Sequence, residues 1–175
     1  MLKIPVETLV YWQSREGDFK KAPPDIVAAI AAMGHGRLPK DYLEFIAAYG
    51  FPEWEYTIPD SFDARTDEGG QVIVEARAIS HLWPLDSLAA MTRNIWRDEP
   101  QNGYPMLPGN MFPIGGDPGQ DLVLIEMEPD NGRIWYWRAV PDVWGTPGNR
   151  TLGFVADSFT DFINNLRMGP QPYAA

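Results

Sequence analysis

FPIGGDPGQDLVLIEMEPDNGRIWYW, residues 112–137, decides how this chain folds. A Gly- and Asp-rich stretch, GGDPGQD, runs into an apolar, β-branched segment. Pro129-Asp130-Asn131-Gly132 follows, and then a Trp-rich segment. Two strand-forming runs around a Pro-Asp-Asn-Gly turn read as a β-hairpin, with DLVLIEME (121–128) and RIWYWRAV (133–140) as its arms. GGDPGQD is then the turn that leads into the first arm. Its other readings fail on residue type. A P-loop needs a lysine before Ser or Thr and a helix after it, and neither is present. An EF-hand needs oxygen donors at alternate positions and a glutamate at the twelfth, and Asp117 and Asp121 stand alone in their loop.

Strands continue on both sides. EWEYTI (53–58) and QVIVEARAIS (71–80) read as strands joined by a polar loop, DSFDARTDEGG, and TLGFVA (151–156) reads as a short closing strand. Helices frame them. PPDIVAAIAAMGHG opens on prolines, carries an Ile26, Val27, Ile30, Met33 stripe and stops at Gly34. In LPKDYLEFIAAYG, Tyr42, Phe45, Ile46 and Tyr49 recur at helical spacing and Gly50 fits the C-terminal cap. A third helix is expected over 84–97, with Leu85, Leu88, Ala89, Thr92, Ile95 and Trp96 on one face. In DSFTDFINNLRMGP, Ser158 and Asp161 form a capping-box-like pair ahead of Phe159, Phe162, Ile163 and Leu166. Helices first, sequential strands next and a closing helix last give an α+β single domain. It should have N-terminal helices, a central antiparallel β-sheet of about five or six strands, and a C-terminal helix packed on the sheet.

At 175 residues, 45% apolar and 13% aromatic, the chain has the composition of one globular domain. No run is long enough for a membrane helix, and MLKIPVETLVYWQSREGDFKK lacks the apolar core of a signal peptide, so a cytoplasmic protein without membrane partners is expected. Cysteine is absent, which removes disulfides, thiol nucleophiles and thiolate metal sites. The net charge of −10 argues against direct nucleic-acid binding. Acids concentrate in two windows: eight in residues 41–68, where Arg65 is the only base, and five in 117–130, where there is none. Such windows are either a solvating surface or a docking face for a basic partner.

No catalytic constellation stands out. His35 and His81 lie outside any HExxH pattern, no GxSxG elbow exists, and nothing among the 24 acids selects a carboxylate pair. His35, between two glycines, reads as a C-cap residue, and His81 as the end of a strand. Trp135 and Trp137 alternate with Tyr136, so a strand turns both indoles to one face. They are either core or a platform for a partner.

Taken in order, RLPKDYLEFIAAYGFPE, FPIGGDPGQDLVLIEMEPDNGRIWYW and FVADSFTDFINNL resemble the SUKH superfamily (Smi/Knr-like), and within it the bacterial immunity-protein branch. The resemblance divides the chain into an N-terminal extension (1–23), a SUKH-like domain (24–168) and a C-terminal tail (169–175). The first 22 residues and the stretch RNIWRDEPQNGYPMLPGN have no family counterpart. The resemblance implies a non-enzymatic protein without cofactor or metal. It would bind and neutralise a toxin domain encoded by a neighbouring gene, with nucleases among the activities opposed. The alternatives are a regulatory protein-binding scaffold of the Smi/Knr type, or a carboxylate-based hydrolase. Partner contacts are expected from the acidic windows and the tryptophans: Glu53, Trp54, Glu55, Asp60, Asp63, Asp117, Asp121, Trp135 and Trp137.

Overall fold

A computed structural model describes Ile4, Leu9 and residues 19–52, 60–68, 70–95, 109–117, 121–127, 132–138 and 152–167. Four helices are present among these residues: α1 (Pro24–Met33), α2 (Lys40–Tyr49), α3 (Leu85–Ile95) and α4 (Phe159–Asn164). The strands are β1 (Asp60–Glu68), β2 (Gln71–Ile79), β3 (His81–Leu82), β4 (Met111–Gly116), β5 (Leu122–Glu126), β6 (Ile134–Trp137) and β7 (Leu152–Ala156). They form one antiparallel sheet in the order β2-β1-β7-β6-β5-β4-β3. Only Ser80 separates β2 from β3, yet these strands stand at opposite ends of that order. The sheet must therefore curl until its ends meet, and the Ser80 amide closes the seam on the Gly116 carbonyl at 3.0 Å.

Helix positions follow from the apolar spacing. α1 buries Ile30 and packs Ile26, Val27 and Met33 against the core, and His35 takes a left-handed φ of 54° in the turn after it. α2 buries Tyr42, Phe45 and Ile46, and α4 buries Phe159, Phe162 and Ile163. A run of ring contacts ties these layers together. Phe159 lies 5.2 Å from both Tyr42 and Phe45, and Phe62 of β1 lies 5.5 Å from Phe162 and 5.8 Å from Tyr136 of β6. Edge-to-face pairs of this kind contribute about 0.5–1.5 kcal/mol each beyond burial. Gly50 ends α2 with φ 73°, and any Cβ there would stand 1.9 Å from the Lys20 carbonyl oxygen. Glycine is required because residues 20–22 run against the end of the helix, where the Ala22 amide bonds the Ile46 carbonyl.

The sheet departs from expectation in three places. Among the described residues it has seven strands, slightly above the roughly five or six expected. The segment expected as a polar loop, 60–68, is the long strand β1, paired residue for residue with β2 from Asp60↔Ile79 to Glu68↔Gln71. Its middle alternates with period two: Phe62 and Ala64 are buried while Asp63, Arg65 and Asp67 are exposed. The Gly-rich stretch is likewise half strand. Met111–Gly116 is buried throughout as β4, with a register shift between Pro113 and Gly115 that absorbs the proline. A Cβ on Gly115 would lie 2.5 Å from the His81 carbonyl, so this glycine lets β3 close on β4. Beyond the strand, the Asp117 amide bonds the Asp121 carbonyl and the Asp121 amide bonds Asp117 Oδ1. EWEYTI, with Glu53, Trp54 and Glu55, lies outside the described residues, as does Trp96.

Candidate functional site

Strand register places four residues in one transverse row. Val74 of β2 pairs with Arg65 of β1, Arg65 with Phe154 of β7, and Phe154 with Trp135 of β6. Directly paired residues share a face with Cβ atoms about 4.5–5.5 Å apart, so the four side chains form a continuous band. Val74 is 55% exposed, Arg65 is exposed, and Phe154 and Trp135 are half-buried. The rings of Trp135 and Phe154 meet edge to face at 5.6 Å. Phe62, Ala64 and Tyr136 point the opposite way, into the core under α2 and α4. Val72, 64% exposed, extends the apolar side of the band along β2.

Acids border the row. Asp63 precedes Arg65 on the same face and holds Arg167 at 2.7 Å. The Arg167 guanidinium keeps the Asp63 carboxyl below its ordinary range, and the carboxylate in turn raises the arginine. Around this pair a groove of about 500 Å³ opens between α4 and the β1–β7 junction, with Phe62, Phe154 and Phe162 supplying apolar wall and Arg65, Asp157 and Asn165 polar wall. On the far side, Glu126 accepts from Trp135 Nε1 at 3.4 Å and pairs with Arg133 at 3.4 Å.

The expected contact residues divide. Asp63 and Trp135 come together on the open face, and Asp60 begins the strand that carries Asp63. Asp117 sits in the β4–β5 turn, where its carboxylate accepts the Asp121 amide at 3.0 Å. Asp121 and Trp137 are interior, at 5% and 1% exposure. Asp121 accepts the Tyr136 hydroxyl, and burial together with this bond pushes the Tyr136 pKa up, so the phenol stays protonated. Trp137 belongs to the core because it pairs with Leu122 deep in the sheet. Both act through packing and not as surface groups.

Arg65, Phe154 and Val74 were missed by sequence reasoning. The signal was the alternation within 60–68, masked by its density of charged residues. His81 proves to be wired into the fold. Its Nε2 accepts the Trp83 indole N–H, its Nδ1 contacts Ser80 Oγ at 2.9 Å, and Ser80 Oγ donates to the Gly116 carbonyl. Among the described residues no group of three or more His, Asp or Glu side chains is placed to hold a metal ion, and no helix is long and apolar enough to cross a membrane.

The profile of the SMI1 / KNR4 family (SUKH-1) matches residues 22–165. The chain belongs to the SMI1 / KNR4 family. Comparison with curated proteins gives no match. The SUKH-1 match begins at Ala22, whose amide bonds the Ile46 carbonyl of α2, and ends at Asn165, the C-cap of α4. Arg167, two residues beyond it, still pairs with β1 through reciprocal backbone bonds to Ser61 of 3.0 and 2.8 Å. The chain thus adds to the SUKH-1 span an arginine that completes the groove.

Proposed function

We propose that this SUKH-1 protein is a non-enzymatic immunity protein that binds and neutralises a toxin domain encoded by a neighbouring gene, and that the open sheet face is its contact surface. The observation that carries the reading is the Val74–Arg65–Phe154–Trp135 row. Trp and Arg are the residue types that most often dominate binding energy, and here Arg65 and Trp135 flank Phe154 in one row of the sheet. The net charge of −10 suits a basic partner such as a nuclease. A non-enzymatic reading gains support from the two carboxylates buried among the described residues. Asp121 and Glu126 project to opposite faces of the β5 ribbon and are bound to Tyr136 and to Arg133 with Trp135, so they do not converge on a substrate.

Co-expression with each neighbouring toxin-like gene tests the proposal. The intact chain should protect the cells, and Trp135→Ala combined with Arg65→Glu should abolish protection while the purified variant remains folded. Undiminished protection by that variant would remove the open face from the mechanism. Absence of any protected toxin would move the regulatory scaffold ahead.

A further inference from the structure

β2 is the free edge of the sheet for most of its length. It has nine residues, all paired with β1 on one side without a register shift, and among the described residues no strand pairs with it on the other. Natural edges are normally blunted by proline, lysine, a bulge or a covering element. β2 carries none of the first three, and Gln71, Val72, Val74 and Ala76 along it are exposed.

The phase of its free main-chain groups is fixed twice. Ser61 of β1 gives both its amide and its carbonyl to Arg167, so its pairing with Ala78 is not hydrogen-bonded and odd-numbered residues of β2 direct their amides and carbonyls to β1. The Ser80 amide likewise turns away from β1 to the Gly116 carbonyl, as an even-numbered residue should. The groups of Val72, Val74, Ala76 and Ala78 therefore point outward.

We infer that this edge pairs with the same edge of a second copy, antiparallel about a two-fold axis at Ala76. Charge selects both the occupant and the register. With Ala76 opposite Ala76 of the second copy, Glu75 stands opposite Arg77 on both sides of the axis, and Val74 stands opposite Ala78. Glu75 and Arg77 already pair within one chain, with Arg138 4.0 Å from Glu75, so the dimer extends an existing network. Centring on Glu75 opposes two like charges, and centring on Val74 sets Glu75 against Ile73. Pairing also covers part of the exposed Val72, Val74 and Ala76 strip and leaves the Phe154–Trp135 part of the row open. The two chains repel through their net charge, so added salt strengthens this contact, opposite to its effect on association with a basic partner.

The absence of cysteine makes the register readable. Opposed residues of a hydrogen-bonded antiparallel pair have Cα atoms about 5.5 Å apart, within disulfide reach. Ala76→Cys should therefore form a covalent dimer in a glutathione redox buffer at low protein concentration, and Val74→Cys should not, although Val74 is equally accessible. Sedimentation equilibrium of the cysteine-free chain should show a reversible dimer that tightens with salt. Ala76→Pro, which removes only an outward-facing amide, should sediment as a monomer with an unchanged circular dichroism spectrum. Should Ala76→Pro unfold, Ala76→Lys serves as the second monomeric variant. A chain that stays monomeric at every concentration and salt, or cross-linking at position 74 equal to that at 76, would overturn the inference.

Discussion

The carboxylate of Asp41, in the first turn of α2, accepts both the main-chain N–H and the hydroxyl of Thr160 in α4, at 2.8 and 2.9 Å, across 119 positions of sequence. α4 is only six residues long and has few intrahelical bonds of its own. Ser158 satisfies the amide of Asp161 at 3.0 Å, and Asp41 satisfies that of Thr160, so the capping of this helix is shared between a local residue and a distant one. Asp41→Ala should cost about 1–2 kcal/mol in urea unfolding, the magnitude of a lost N-cap. Asp41→Asn, which keeps an acceptor, should cost less. Equal losses would show that charge and not capping is what matters there.

Two buried tyrosines should respond in opposite directions to the same change. Tyr136 donates to buried Asp121, and Tyr136→Phe removes that hydrogen bond from a buried carboxylate, a loss of about 1–3 kcal/mol. Among the described residues the buried Tyr42 hydroxyl has no hydrogen-bond partner, and burial raises its pKa. Tyr42→Phe removes an unsatisfied group from the core, so stability should hold or rise. Both phenols have folded pKa values above the unfolded value. Their contribution is complete below the unfolded tyrosine range and is lost as pH rises past it, and Tyr136→Phe should flatten that alkaline decline. Thermal melts across alkaline pH measure both effects.

Acid acts through Asp63. Its folded pKa is depressed, first by the hydrogen bond from Arg167 and then by that arginine's charge. The pair therefore stabilises the fold above the unfolded carboxylate pKa and ceases to do so as pH falls through the depressed value. Both side chains are partly exposed, so the contribution should not exceed about 1 kcal/mol and should shrink with salt. Asp63→Asn should remove this part of the acid dependence in urea titrations. An unchanged acid limb would mean that the pair contributes nothing in solution.

The two β6 tryptophans separate binding from stability. Trp137→Ala should cost about 3–5 kcal/mol of folding stability, as expected for a large core side chain. Trp135→Ala should cost less, about 1–2 kcal/mol, since the half-buried indole packs on Phe154 and bonds Glu126, and should weaken binding of the proposed toxin by about 2 kcal/mol or more, mostly through a faster off-rate. Charge reversal at Asp63 together with Glu53, Glu55 and Asp60 should instead slow association, and more so at low salt. Stopped-flow association and surface-plasmon dissociation distinguish the two.

Local pattern was sufficient for the helices and for the β5–β6 hairpin. Tyr42, Phe45 and Ile46 recur at 3.6-residue spacing, the Ser158 cap lies three residues from Asp161, and Pro-Asp-Asn-Gly divides two β-branched runs. These features act within a few residues, where propensity and capping decide. β1 and β4 were harder to read for a shared reason. Charged side chains in 60–68 and glycines with proline in 111–116 oppose strand formation locally, and pairing with β2 and β5 overrides them.

Sequence by itself determined the helical segments, the α+β order and the resemblance to the SUKH superfamily, because spacing, caps and motifs are each read within a short segment and their order along the chain is given. Tertiary structure alone decided which acids are available and which residues form a surface. Asp121 is buried under Tyr136, Asp41 caps a helix 119 positions away, and Asp63 is held by Arg167. The Val74–Arg65–Phe154–Trp135 row exists only because four strands from distant parts of the chain adopt one register. Register is a property of paired strands, set by the whole curled sheet at once, and no single segment contains it.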